Sequence, residues 1–481
     1  MTAIAHLHPA LVWKHFATLC EIPRPSKQET ALRRHMADWA EARGLAATID
    51  SAGNLLIRKA ASRGRGDRLG VVLQAHLDMV CQANSGTVHD FTRDPIRPVE
   101  RDGWLTAPDT TLGADNGIGV ALALAALEDE TLEHPPLEVL LTVDEEAGMG
   151  GARGLPPGLL TGRKMLNLDT EEWGEFYLGC AGGCDVAVIR HCRTEAVPEG
   201  YDGYRLRVHG LRGGHSGVDI HLGRGNANKL LIRVLRRLEK NTNLRLAAMS
   251  GGTARNALPR EAWADIALPG RDAAGLASLL ADLQALFRAE LAGVDEAVAV
   301  EAVPATVSAA ISLGDQSALL AALHAAPHGV RRMSADFQNV VETSDNLGLL
   351  SLSDGDFSAS LMVRSLRSSG TEMLADEIVS LFTLAGCRIT VSGEYPGWTP
   401  NPHSALLALC QDVYAREFGA DANVQVIHAG LECGIIGAKY PEIDTVSFGP
   451  TIRGAHAPGE RVEIASVDRS WRLLKAILAE I

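Results

Sequence analysis

The sequence predicts an α/β protein: a discontinuous domain with a largely parallel sheet and helices on both faces, interrupted by an α+β lid domain. Three observations carry this. Short apolar runs alternate with helical patterns over the first 185 residues, and each run is followed by acidic or imidazole side chains. From about Asp185 the style changes to shorter alternating strands with long amphipathic helices, and after Pro396 the first style returns. The 481 residues also exceed the roughly 250 to 300 at which a single core stops growing. The expected boundaries are 1–185 and 396–481 for the discontinuous domain and 186–395 for the lid, which is expected to be doubled.

Taken in order, Ser26 to Glu29 has the capping-box form, followed by Leu32, Met36 and Trp39 on one helical face and a stop at Gly44. A hairpin turn is expected at Ser51 to Asn54 and a buried strand at Leu69 to Leu73, with His76 and Asp78 soon after it. Asn116 to Leu127 reads as an Ala-rich buried helix. Leu137 to Val143 reads as a buried strand that ends at Asp144, Glu145 and Glu146, and Met165 to Leu168 as one that ends at Asp169. In parallel sheets ligands bind outside the carboxyl ends of the strands, so these ends direct polar groups to one edge.

Within the insert, helices at Asn226 to Asn241 and Ala273 to Leu291 lie among strands Tyr204 to Leu211, Ala262 to Leu268 and Ala297 to Val303, in β-α-β-β-α-β-like order. A similar set runs from Ala318 to Glu394. The helix Ser404 to Phe418 and the strand Thr445 to Phe448 then rejoin the first domain, and His456 again follows a strand end.

Apolar residues make up 46% and charged residues 22%, an ordinary globular composition. With 45 basic and 59 acidic residues the net charge is −14, and no stretch concentrates Lys and Arg among aromatics, so nucleic acid is not an expected partner. Met1 to Trp13 has no charged stretch leading into an apolar run, and no segment approaches the roughly 20 apolar residues that span a bilayer. The eight cysteines include no CxxC pair. The expectation is a soluble, cytoplasmic chain with no membrane partner. Gly117 and Gly119 do not complete a G-x-G-x-x-G fingerprint, which disfavours dinucleotide binding.

Paired divalent cations about 3.5 Å apart need one bridging carboxylate and two further ligands each, and oxygen and imidazole donors supply these for zinc. His76, Asp115, Glu146, Asp169 and His456 fill five such places. Their motifs are His76-Leu-Asp78, Leu112-Gly-Ala-Asp115-Asn116-Gly-Ile-Gly119, Asp144-Glu145-Glu146, Asn167-Leu-Asp169 and Gly454-Ala-His456-Ala-Pro458. A single buried His or Asp is more often a satisfied structural residue. Five in order, at strand ends, carry the metal reading together.

At these residues the sequence resembles the carnosinase-like family of dinuclear zinc metallopeptidases over almost its full length. The resemblance extends to Ile22-Pro-Arg-Pro-Ser26, Gly179-Cys-Ala-Gly-Gly183, Gly251-Gly-Thr-Ala-Arg-Asn256, His428-Ala-Gly-Leu-Glu-Cys-Gly434 and Gly449-Pro-Thr-Ile-Arg-Gly454. It implies that Asp115 bridges two metal ions, that His76 and Asp169 complete one shell, and that Glu146 and His456 complete the other. The expected ions are zinc, with manganese or cobalt able to occupy such donors.

Two further carboxylates have roles beside the ligands. Asp78 is placed to accept the second N–H of the His76 imidazole, and Glu145, beside a ligand without being one, to act as general base and then acid. By resemblance, His215 in Gly213-Gly-His-Ser-Gly217 is a lid histidine that stabilises the oxyanion across a homodimer interface. Arg364 likewise resembles a clamp for the substrate carboxylate and Asn256 a lid polar contact, while Glu432 either meets the substrate or supports the site. The implied activity is hydrolysis of dipeptides with a free amino terminus, Xaa-His dipeptides such as carnosine in particular. An aminoacylase or deacetylase of the same broad family is the alternative, and a non-catalytic peptide-binding protein on the same fold is the alternative of another class.

Overall fold

The structure is a computed structural model that describes residues 4–481. The chain divides into two units. One comprises the chain up to Gly179 together with Trp398–Val426 and Leu431–Ile481; the other comprises Cys180–Gly397 and Ile427–Gly430. The last four residues correct the sequence reading, which assigned them to the discontinuous domain. No helix among the described residues is long and apolar enough to cross a membrane, and no disulfide joins any of the eight cysteines.

The first unit is built on an eight-stranded sheet in the order Ala46–Ile49, Leu55–Lys59, Leu137–Thr142, Val71–His76, Lys164–Asn167, Asp444–Ser447, Glu175–Cys180, Asn423–Ile427. The four central strands pair in parallel, and Leu137–Thr142 and Val71–His76 are buried at every residue. That is the pattern of strands covered on both faces, and it explains why they read as continuous apolar runs. The buried helix Ala114–Glu128 packs on these two strands and carries helices Ala10–Glu21 and Ile464–Glu480.

The predicted capping box is not used as one. The helix starts at Thr30 with no side-chain cap. Ser26 instead donates to Asp78 Oδ2 at 2.7 Å, and Glu29 Oε1 accepts from the N–H groups of Lys27 and Asp144, both at 2.9 Å. Tertiary partners have taken both side chains from the helix end.

The second unit holds a wholly antiparallel sheet. One half follows Tyr201–His209, helix Ala227–Asn241, Arg245–Gly251, Ala262–Pro269, helix Gly270–Glu290, Ala299–Pro304. The other follows Gly182–His191, helix Leu313–Ala325, Val341–Ser353, Asp356–Ser365, helix Ser368–Leu384, Arg388–Tyr395, with Gly329–Met333 as an added strand beside Val341–Ser353. Apart from that addition, both halves place their strands in the spatial order fourth, first, third, second. The halves join where the two second strands pair, Met249 opposite Leu352 and Gly251 opposite Leu350, so neither is left as a bare edge there. Helix Ala227–Asn241 shows why the segment is helical. Asn226 caps it by accepting from Lys229 N, and Leu230, Leu231, Val234, Leu235 and Leu238 form one buried stripe.

Candidate metal centre and active site

His76 is the last residue of its strand and is buried. Asp115 lies at the start of helix Ala114–Glu128, after Gly113 in the left-handed region (φ 71°). Glu145 and Glu146 stand in the turn after Leu137–Thr142, Asp169 two residues beyond Lys164–Asn167, and His456 in a loop at φ 65°. A non-glycine residue held there costs about 1–3 kcal/mol, a strain typical of functional sites.

The structure brings all five expected ligands together around Asp115. His76 Nε2 is 3.2 Å from Asp115 Oδ1 and 3.4 Å from Asp169 Oδ1. His456 Nε2 is 3.1 Å from Asp115 Oδ2 and 3.1 Å from Glu146 Oε1. Each Asp115 oxygen therefore faces one histidine with its own second carboxylate. Ligand atoms of His76, Asp115 and Glu146 all lie within 4.8 Å of one another. Glu146 Oε1 and Asp169 Oδ1 are buried with no aligned hydrogen-bond donor among the described residues. Orphaned oxygens in two imidazole–carboxylate groups that share Asp115 fit a pair of divalent cations.

The electrostatics say the same. The Asp115 and Glu146 carboxylates against its ring push the His456 imidazole up to about 11. Burial opposes protonation of His76, but the Asp169, Asp115 and Asp78 carboxylates around its ring raise it well above its ordinary value. Burial would raise Asp115, yet its hydrogen bonds to His456 and His76 hold it below the usual carboxylate range. Burial carries Asp169 up to about 6 although His76 opposes it. The cluster demands positive charge, which protons on two histidines meet in part and cations would meet by displacing them.

Asp78 is fully buried and ties the site together. Its Oδ1 lies 3.4 Å from His76 Nδ1 and accepts from Glu145 N at 3.0 Å, and its Oδ2 accepts from Glu146 N at 3.1 Å and from Ser26. Burial would raise its pKa, but the hydrogen bond and charge of His76, with Ser26 and the Glu145 N–H, pull it down to about 2. Glu145 is raised well above the ordinary range by burial, opposed by His76 and reinforced by Asp169, Glu432 and Glu146.

Residue-by-residue reading missed Asn116, although it stands in a quoted motif. Its Oδ1 accepts from His76 N at 3.3 Å and its Nδ2 donates to Leu168 O at 2.7 Å, linking the strand ends that carry two of the expected ligands. Glu432 is buried, with Oε2 accepting from Gln74 Nε2 at 2.7 Å and Thr142 Oγ1 at 2.5 Å. Through these two bonds it ties the strands of Gln74 and Thr142 together.

In the second unit His215 pairs with Ala257 in a two-residue strand. Its Nδ1 accepts from the N–H groups of Gly217 and Val218 at 3.2 and 3.1 Å, which leaves the ring proton on Nε2. Burial and then Arg364 lower its pKa to about 4, with Asp219 opposing, so the imidazole is a neutral N–H donor. Arg364 is buried, donates to Tyr395 Oη at 2.8 Å, and has Nε with no partner among the described residues. Asn256 is exposed, beside the strand residue Ala257 that pairs with His215. His428, also missed, is buried with Nε2 2.7 Å from Ser344 Oγ. Its only sequence signal was its place at the head of a quoted motif.

Residues 72–480 match the family described as Peptidase family M20/M25/M40. The chain is 46% identical, over its whole length and 99% of the relative, to the cytosol non-specific dipeptidase of Escherichia coli (strain K12). Among solved structures it superposes on aminoacylhistidine dipeptidase from Vibrio alginolyticus with a TM-score of 0.92 and 45% identity, over 99% of this chain and 98% of that one. The aminopeptidase PepT of Bacillus cereus shares the fold at a TM-score of 0.57 and 15% identity, over 98% of this chain and 99% of that one. A match of this extent, on a chain whose strand ends converge on Asp115, makes the protein a member of peptidase family M20/M25/M40.

Proposed function

We propose that this peptidase hydrolyses dipeptides with a free amino terminus, Xaa-His dipeptides such as β-alanyl-histidine among them, with two zinc ions held by His76, Asp115, Asp169, Glu146 and His456. The observation that carries the reading is the Asp115 carboxylate, whose two oxygens face His76 and His456 separately. Two divalent cations bound there would polarise the scissile carbonyl and lower the pKa of water. Glu145 accepts the proton of the attacking water as the C–O bond forms, then delivers it to the amide nitrogen as the C–N bond breaks. Asp78 holds the His76 tautomer and, through two backbone N–H groups, the Glu145–Glu146 turn. Arg364 and Asn256 are the proposed contacts for the substrate carboxylate. The localisation we propose is cytoplasmic, in keeping with the cysteines that no disulfide joins.

The test is turnover of β-Ala-His, a panel of other dipeptides and N-acetyl amino acids by protein of measured metal content. Cleavage of dipeptides alone is expected. Turnover of N-acetyl amino acids alone would transfer the protein to the aminoacylases, and two bound ions without turnover of any substrate would make it a binding protein.

His215, as a neutral Nε2–H donor, is assigned to the negative charge that develops on the carbonyl oxygen. Removing one such donor costs on the order of 100- to 1,000-fold in turnover. His215→Ala should show that loss with normal metal content. The resemblance to the carnosinase-like family supports a homodimer in which His215 serves the neighbouring subunit. Mixed dimers of His215→Ala and Glu145→Gln should then recover activity; hybrids verified by mass spectrometry that stay inactive place His215 in its own chain.

A further inference from the structure

The stretch Ile22-Pro-Arg-Pro-Ser26 has so far supplied only Ser26 to the site. Arg24 is 3% exposed, and its guanidinium makes no ion pair among the described residues. It is spent on backbone carbonyls: Nη1 donates to Leu77 O and Asp78 O, both at 2.9 Å, and Nη2 donates to Gly113 O. The first two follow His76, and the third precedes Asp115 by two residues.

Glu460 is the mirror case. It is 2% exposed and makes no ion pair among the described residues. Its Oε2 accepts from Leu112 N at 2.8 Å and Gly113 N at 2.9 Å, and its Oε1 from Ala114 N at 2.6 Å and Asp115 N at 3.2 Å. Gly113 thus gives its N–H to a buried carboxylate and its C=O to a buried guanidinium. Its left-handed backbone suits glycine, and a Cβ there would strike Arg24 Nη2 and come within 2.8 Å of Met79 Sδ.

Burying two charges without an ion pair is unfavourable unless backbone dipoles compensate each of them. Glu460 is compensated wholly by the turn that presents Asp115, and Arg24 by that turn together with the two carbonyls that follow His76. Helix capping alone does not call for the placement of Glu460, because Leu112 N and Gly113 N precede the helix.

We propose that Arg24 and Glu460 are positioning residues that clamp the Leu112–Asp115 turn from opposite sides and so hold the Asp115 carboxylate in its bridging orientation. The inference rests on the dinuclear reading above. It assigns to the clamp the affinity of the second cation and the electronic contact between the two.

The test uses the full chain, stripped of metal by a chelator and titrated with Mn(II) alone. Stoichiometry is read by calorimetry, and electron paramagnetic resonance reports whether the two ions are exchange-coupled. Two coupled ions are expected in the unaltered protein; if it never binds two, the dinuclear reading fails and the clamp with it. Glu460→Gln and Arg24→Lys should each weaken the second ion by about 10- to 100-fold, the range seen when groups behind metal ligands are removed. Any pair that still forms should lose its coupling, and Glu460→Asp should recover part of both. Ser404→Ala, which uncaps helix Ala405–Phe418 in the same unit, controls for stability: it should lower Tm and leave the titration unchanged. Should Glu460→Gln fail to fold, Glu460→Asp and Arg24→Lys decide. Wild-type affinity and coupling in the folded clamp variants, with only Tm reduced, would make the pair a helix cap and overturn the proposal.

Discussion

Glu145→Gln is expected to bind two metal ions with little change and to lose turnover by on the order of 100- to 10,000-fold, the range that positioned proton transfer contributes. The substitution preserves the shape of the side chain and leaves every proposed ligand untouched. It also leaves the backbone N–H of residue 145 on Asp78, where the turn is anchored. What it removes is an oxygen that can take a proton. Burial raises the proton affinity of Glu145 above that of an ordinary carboxylate, with His76 opposing and Asp169, Glu432 and Glu146 adding to it, so a proton taken from water is held more firmly than on an exposed carboxylate until the leaving nitrogen accepts it. Metal content by mass spectrometry and kcat on one dipeptide check the outcome together. A variant that loses an ion would show Glu145 to be a ligand, and one that keeps full turnover would show the base to be elsewhere.

The features legible in the sequence are those that depend on side-chain type. A parallel strand buried on both faces reads as an apolar run, as Leu137–Thr142 does, and a polar group just past such a run can be placed at the sheet edge before any coordinates exist. Four of the five proposed metal ligands, His76, Glu146, Asp169 and His456, are placed in that way, whereas Asp115 is read from the motif ahead of a helix. Arg24 and Glu460 left no comparable mark, because their partners are backbone N–H and C=O groups, which every residue carries. Ser26 and Glu29 misled for the converse reason: their spacing suits a helix cap, but Asp78 and the Asp144 N–H lie closer at hand once the chain has folded. The assignment of Ile427–Gly430 to the inserted unit was likewise beyond local pattern, since four residues are too few for a period. Ser344, which His428 meets in that unit, is 84 positions away.

Asp115→Ala should have the second large effect, and on binding first. In each half of the cluster one histidine and one carboxylate, His76 with Asp169 and His456 with Glu146, are private, and Asp115 is shared. Without it each ion keeps two proposed protein ligands instead of three. The pair also loses the one anion proposed to lie between them and screen their repulsion. Dinuclear loading should therefore be abolished and turnover fall to background. Asp115→Asn, with one carbonyl oxygen and no charge, should retain one ion and not two. Stability supplies an independent reading, because a cation that binds only the folded chain stabilises it by about 2.7 kcal/mol at a hundred times its Kd. The unaltered protein should thus gain thermal stability as Mn(II) or Zn(II) is added, and Asp115→Ala should gain little at the same concentration. The metal-free forms give the baseline: there the substitution removes a partly buried carboxylate that His76 and His456 hold ionised, so the comparison must be of the metal-dependent rise and not of the absolute Tm. If Asp115→Ala bound two ions tightly and rose in Tm as the unaltered protein does, the bridge would have to be another carboxylate, and Asp169 or Glu146 would be the next to replace.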